Sequence, residues 1–188
     1  MKTTEQTAVA PKPMSDSQIK ASKEQLKKLP ILGPAMWLYA RDDLKKYTFV
    51  AEQDWLLMPP IILDQCKLYM REDIPWAFAT WAFVSDEVDA RLRTAIPKIA
   101  PHEWKSGTHP WLIDMVAPFG DRDSLIDEAR ATAFNGQPMS ALLAQRDGTV
   151  QLRDYPALAG NNSANTVSKA SNTSTDTTKA SSKNKEKK

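Results

Sequence analysis

The stretch between Pro110 and Pro118 constrains this chain more than any other part of it. Trp111-Leu112-Ile113-Asp114-Met115-Val116-Ala117 is apolar apart from one carboxylate, and a proline bounds it on each side. A short apolar run between breakers reads as a buried strand over residues 111–117. Strict alternation along that strand puts Asp114 on one face with Leu112 and Val116. An isolated buried charge is very costly, so the carboxylate must be ion-paired, hydrogen-bonded or protonated. Two readings follow. Asp114 carries chemistry, or it holds a structural ion pair to a basic residue.

The rest of the pattern builds a sheet around this strand. Ser15 or Asp16 caps a helix running to about residue 28, where Pro30 ends it. Residues 31–44 read as a second helix, closed by Arg41-Asp42-Asp43-Leu44-Lys45-Lys46, whose cations suit a helix C-terminus. In a functional reading of that cluster, Lys45 reaches into a cleft lined by Asp114. Residues 49–58 read as a third helix, stopped by Pro59-Pro60. Strands are expected at 66–70, 75–84 and 111–117, and at 139–144 and 150–153 around an Asp147-Gly148 turn. Helices fill 85–95, halted by Pro97, and 121–134, stopped by Asn135-Gly136. Helices followed by β-β-α-β-α-β-β describe one α/β (α+β) domain over residues 16–158. Residues 1–15 and the Ser/Thr/Asn/Lys-rich stretch 159–188 are too polar to order themselves.

Charge and motifs exclude several functions. The tail 161–188 sets six lysines against Asp176 and Glu186, a net of +4. The whole chain is +2, so residues 1–160 carry −2. A mildly acidic body gives no case for nucleic-acid binding. One cysteine, Cys66, forbids an intrachain disulfide and reads as a small buried thiol. Neither a signal-peptide pattern nor an apolar span is visible, and the expected location is cytoplasmic. Phosphate-cradling glycine motifs and the G-x-S-x-G elbow are absent. With His102 and His109 as the only histidines, no closed zinc site is credible and no metal is expected. His109 precedes Asp114 by five strand positions, about 16 Å, on the opposite face. The six tryptophans, including Trp76 and Trp81 on the aromatic strand, are core material or the lining of an acyl groove.

Several blocks, in order, resemble the RTX toxin-activating lysine acyltransferases, the haemolysin-activating C-protein family. They are Leu32-Gly33 with Trp37-Leu38, Trp55-Leu56-Leu57-Met58-Pro59-Pro60, and Gln65 with Leu68. Pro75, Ala77-Phe78-Ala79-Thr80-Trp81-Ala82-Phe83-Val84-Ser85 and Trp104-Lys105-Ser106-Gly107 continue the series. Trp111-Leu112-Ile113-Asp114 with Ala117-Pro118-Phe119-Gly120 completes it, and the likeness covers about residues 30–145.

The resemblance implies a GNAT-like (acetyltransferase-like) fold, with a central mixed sheet of about five strands and N-terminal helices. It implies fatty acyl transfer from acyl carrier protein to internal lysines of an RTX protoxin, activating it, with no tightly bound cofactor. Acyl carrier protein and the protoxin are the implied partners, and a homodimer is admitted. The family's catalytic carboxylate falls on Asp114 and its catalytic histidine on Lys45. Thr108 replaces an aspartate of the family's Ser-Gly-Asp segment, and Leu56 an asparagine of some members. Trp37, Trp81, Trp111, Ser106 and Gly107 are the candidates for the acyl groove or substrate contacts. Imidazole titrates near 6.5 and a lysine ammonium near 10.4, so Lys45 is a poor substitute as general base. Its charge can instead hold Asp114 or stabilise an oxyanion. The alternative is a catalytically weak or inactive homologue that binds an RTX partner or acyl carrier protein as a chaperone. Transfer of a small acyl group from coenzyme A is weaker, because no glycine-rich pyrophosphate turn is present.

Overall fold

The computed structural model describes residues 14–94, 98–145 and 149–159. The expected N-terminal and C-terminal tails, the Pro97 stop and the Asp147-Gly148 turn lie outside, or almost entirely outside, those residues.

Ser15 caps α1 (Asp16–Leu26): its Oγ accepts from Gln18 N, while Ser15 N donates back to Gln18 Oε1 at 2.8 Å. Such a reciprocal box satisfies two orphan donors at once. A 3-10 turn carrying Pro30 leads into α2 (Leu32–Tyr39). α2 stops five residues earlier than the sequence suggests. Asp42 is the cause: its Oδ1 accepts from Leu44 N at 2.9 Å, and its carbonyl accepts from Lys45 N and Lys46 N. Side-chain bonding of this kind competes with the helix ladder. Residues 41–46 are therefore a separate turn and not the last turn of a helix.

The expected third helix is divided into a 3-10 turn at Val50–Glu52, α3 (Gln53–Leu56) and α4 (Met58–Ile62). Pro59 and Pro60 do not stop a helix here. They sit in the first turn of α4, where no amide hydrogen is needed.

The sheet has five strands in the order β1 (Cys66–Arg71), β2 (Ile74–Val84), β3 (His109–Val116), β4 (Met139–Ala144) and β5 (Val150–Tyr155). Every neighbouring pair is antiparallel except β3 and β4. Those two run parallel because α6 (Arg122–Thr132) crosses over between them. The mixed five-stranded sheet with preceding helices is the architecture expected from the sequence, and it is consistent with a GNAT-like fold.

Both faces are covered. α6 brings Leu125, Ile126 and Ala129 onto Ala77, Ala79, Leu112, Met115 and Ala141. The other face receives Ala35, Leu38 and Tyr39 of α2 and Ile61 of α4 over Phe78 and Val116. Beside them, α5 (Asp86–Arg93), capped by Ser85, packs Val88 and Leu92 against Ala82, Val84 and Trp111. Asn135 and Gly136, at φ 51° and 70°, end the α6 segment in the left-handed region.

One irregularity in β3 sets where Asp114 points. β3 pairs Asp114 with Thr80 and Leu112 with Trp81, which leaves Ile113 as an extra residue. A bulge breaks strict alternation and re-aims the side chains beyond it. Leu112 therefore faces α6, whereas Ile113, Asp114 and Val116 face the other helices. The expectation that Asp114 shares a face with both Leu112 and Val116 holds only for Val116.

Candidate active site

Turned by this bulge, the Asp114 side chain is only 3% exposed and meets two donors. Tyr39 OH donates to Oδ2 at 2.8 Å, and Lys45 Nζ lies 2.9 Å from the same oxygen. Tyr39 comes from the last turn of α2 and Lys45 from the turn that Asp42 folds. Burial, then the Asp114 charge, hold the Tyr39 hydroxyl well above its ordinary value, so it stays a protonated donor. Lys45 keeps 23% of its side chain exposed and closes the site towards solvent. Sequence reasoning missed Tyr39. Its signal was a phenol at the end of the apolar helix Leu32–Tyr39, where a buried hydroxyl needs a partner.

Further along β3 the sheet opens. Register pairs in the parallel ladder join Trp111 with Ser140 and Leu112 with Ala141, after which β3 and β4 run on without pairing. A cavity of about 530 Å³ sits at their carboxyl ends. Its walls are Arg41 and Leu44 from the turn after α2, Pro118 and Gly120 beyond β3, Arg122 of α6, and Ala144 of β4. Crevices at the carboxyl ends of strands are where ligands bind in open α/β sheets. Gly120, at φ 102°, and Asp121, at φ 62°, make the tight turn that starts α6 at the mouth of this crevice.

The other candidates are accounted for by packing. Trp111 is fully buried and its Nε1 donates to Asp89 at 2.8 Å. Trp81 lies on the α6 face, 6.3 Å from the Phe134 ring. Ser106 accepts from Ser85 N and donates to the Glu103 carbonyl. A Cβ on Gly107 would come 2.4 Å from the Val84 carbonyl oxygen, so glycine there permits close backbone packing. None of these four lines the crevice, and neither do Asp114 and Lys45, which reach it through Leu44, the neighbour of Lys45. Trp37 stays close to it: the guanidinium of Arg41, a crevice residue, lies 3.6 Å over its ring, and Phe119 is 5.8 Å away.

His109 bonds Asp86 at 2.6 Å and His102 is exposed, so neither reaches Asp114. Burial pushes the Cys66 thiol up to about 11, which removes it as a nucleophile. Among the described residues no group of three or more His, Cys, Asp or Glu is placed to hold a metal ion. Nor is any described helix long and apolar enough to cross a membrane.

A model of the RTX toxin acyltransferase family, HlyC, matches residues 24–154. The chain belongs to this family. Among its curated relatives, the protein-lysine myristoyltransferase HlyC of Escherichia coli is 34% identical over 99 residues, 53% of this chain and 58% of the relative. The RTX-III toxin-activating lysine-acyltransferase ApxIIC of Actinobacillus pleuropneumoniae is 34% identical over 94 residues, 50% of this chain and 54% of the relative. The lysine-acyltransferase RtxC of Vibrio cholerae is 31% identical over 105 residues, covering 55% and 69%. The chain thus spans little more than half the length of the first two. The region matched by the HlyC model contains both Lys45 and Asp114, together with the crevice-wall residues Arg41, Pro118, Arg122 and Ala144.

Proposed function

We propose that this chain moves a fatty acyl group from the thioester of acyl carrier protein to internal lysines of an RTX protoxin, activating it. One observation carries the reading: Asp114, dry and turned by the bulge, already holds an ε-ammonium, that of Lys45, the residue after the crevice-wall Leu44. A seat for an acceptor lysine needs the same contact. Membership of a family whose relatives are named lysine acyltransferases supports it.

In this mechanism the acceptor amine attacks the thioester carbonyl carbon, the N–C bond forms, and the C–S bond breaks to release the thiolate. Asp114 takes the proton leaving the amine and returns it to the thiolate, which departs as the thiol. Tyr39 fixes the carboxylate, and the Lys45 ammonium offsets charge as the oxyanion develops. The thioester arm would lie in the crevice between β3 and β4. No cofactor beyond the carrier-bound donor is required. The reaction belongs in the cytoplasm, without nucleic acid, and a homodimer is the assembly to look for by light scattering.

The Lys45–Asp114 pair also favours a second reading, in which it is purely structural and the chain is a binding module for the protoxin or the carrier. Purified protein, acyl-loaded carrier protein and protoxin decide between them. Acylated protoxin lysines support the enzyme. Stable binding to the protoxin without transfer, with transfer appearing in Lys45→His, supports the module.

A further inference from the structure

We propose that Thr80 is a positioning residue for this reaction, the group that receives the proton-loaded form of Asp114. The inference rests on the acyltransferase reading above. Thr80 stands directly across the β2–β3 ladder from Asp114, immediately beside the bulge. Residues directly opposite on antiparallel strands point to the same face, with Cβ atoms about 4.5–5.5 Å apart. Thr80 is fully buried, and its Oγ1 has no hydrogen-bond partner. Tyr39 and Lys45 both converge on Oδ2 of Asp114, and among the described residues no donor is seen at Oδ1. An unpaired buried hydroxyl costs stability, and valine would fill the same volume without it.

The reaction supplies the missing partner. When the amine nitrogen bonds to the carbonyl carbon, the amine's proton moves to Asp114, which becomes a carboxylic acid until it protonates the departing thiolate. That acid carries an O–H, and Thr80 Oγ1, across the ladder on the same face, is an unused acceptor that a side-chain rotation turns towards it. A hydrogen bond to the neutral form makes the carboxylate a stronger base. The titratable groups touching Asp114 are Tyr39 of α2 and Lys45 of the following turn, with Asp42 acting on Tyr39 and Cys66 of β1 pairing with Thr80. All remain in place in a Thr80 variant.

The test compares wild type, Thr80→Val and Thr80→Ser with acyl-loaded carrier protein and a protoxin acceptor, across pH. Thr80→Val should lower kcat on the order of tenfold with KM for the acceptor unchanged, and move the acidic limb of the profile to lower pH. Thr80→Ser should restore both. Thr80→Val should also melt no lower than wild type, because it removes an unpaired group. An unchanged kcat and limb in an active background overturns the role of Thr80 alone. A melting temperature several degrees lower shows a partnered, structural hydroxyl and also overturns it. A wild-type protein without transfer removes the acyltransferase reading, and this inference with it.

Discussion

Tyr39 and Asp114 are 75 residues apart in sequence and 2.8 Å apart in the fold. The contact ties the end of α2 to the centre of the sheet, through a phenol that burial keeps protonated. A hydrogen bond to a buried charged group contributes about 1.5–3 kcal/mol. Tyr39→Phe should therefore lower Tm by several degrees while leaving the packing of α2 intact. Differential scanning calorimetry reads this directly, and a shift within error would mean that the hydroxyl adds nothing.

Lys45 and Asp114 should be energetically coupled. Lys45→Met leaves a buried carboxylate without its cation, a loss on the order of 1–3 kcal/mol once the partial exposure of Lys45 is allowed for. In an Asp114→Asn background the same substitution should cost markedly less. A double-mutant cycle of urea melts measures the difference. Additive single effects would deny the ion pair any weight.

Glu103 sets a pH dependence. Its carboxylate is bonded by both terminal nitrogens of Arg91, at 3.0 and 2.5 Å, and by Ala100 N at 2.7 Å. The Arg91 guanidinium, aided by the Ala100 amide, holds its carboxyl below the usual range. A depressed folded value means stability that is present above the ordinary carboxyl range and lost as pH falls through the folded value. Glu103→Gln should thus melt below wild type at pH 7, and the gap should narrow as the pH falls below the ordinary carboxyl range. A gap that stays constant with pH would contradict this assignment.

Cys66 should be silent in the folded protein. With its thiol pushed up to about 11 by burial, alkylation by iodoacetamide at pH 8 should proceed only after unfolding. Labelling of native protein at the rate of a free thiol would place Cys66 at the surface instead.

Local signals in the chain foretold much of this architecture. The Ser15 and Ser85 caps, the aromatic strand at Ile74–Val84 and the Asn135-Gly136 stop act within a few residues and are visible in order. What could not be read was decided by non-local or one-residue effects. Asp42 cuts α2 short by capturing backbone that periodicity assigns to the helix. Ile113 is an ordinary strand residue in composition, yet as the bulge it turns Asp114 towards Tyr39 instead of α6. The value of Asp114 was legible because a carboxylate among apolar neighbours demands a partner. That Tyr39 would supply a donor was a tertiary fact. Trp111 and Trp81 show the converse, since large aromatics in a strand mark core first and grooves second.

On the proposed reading, Asp114 serves an acceptor lysine. Intact-mass analysis of an RTX protoxin fragment co-expressed with this chain tests it most directly, wild type against Asp114→Asn. Fatty acyl mass increments should appear on protoxin lysines with the wild-type chain, and none with the folded Asp114→Asn variant. Equal acylation by both, or an unmodified fragment with wild type, would contradict it.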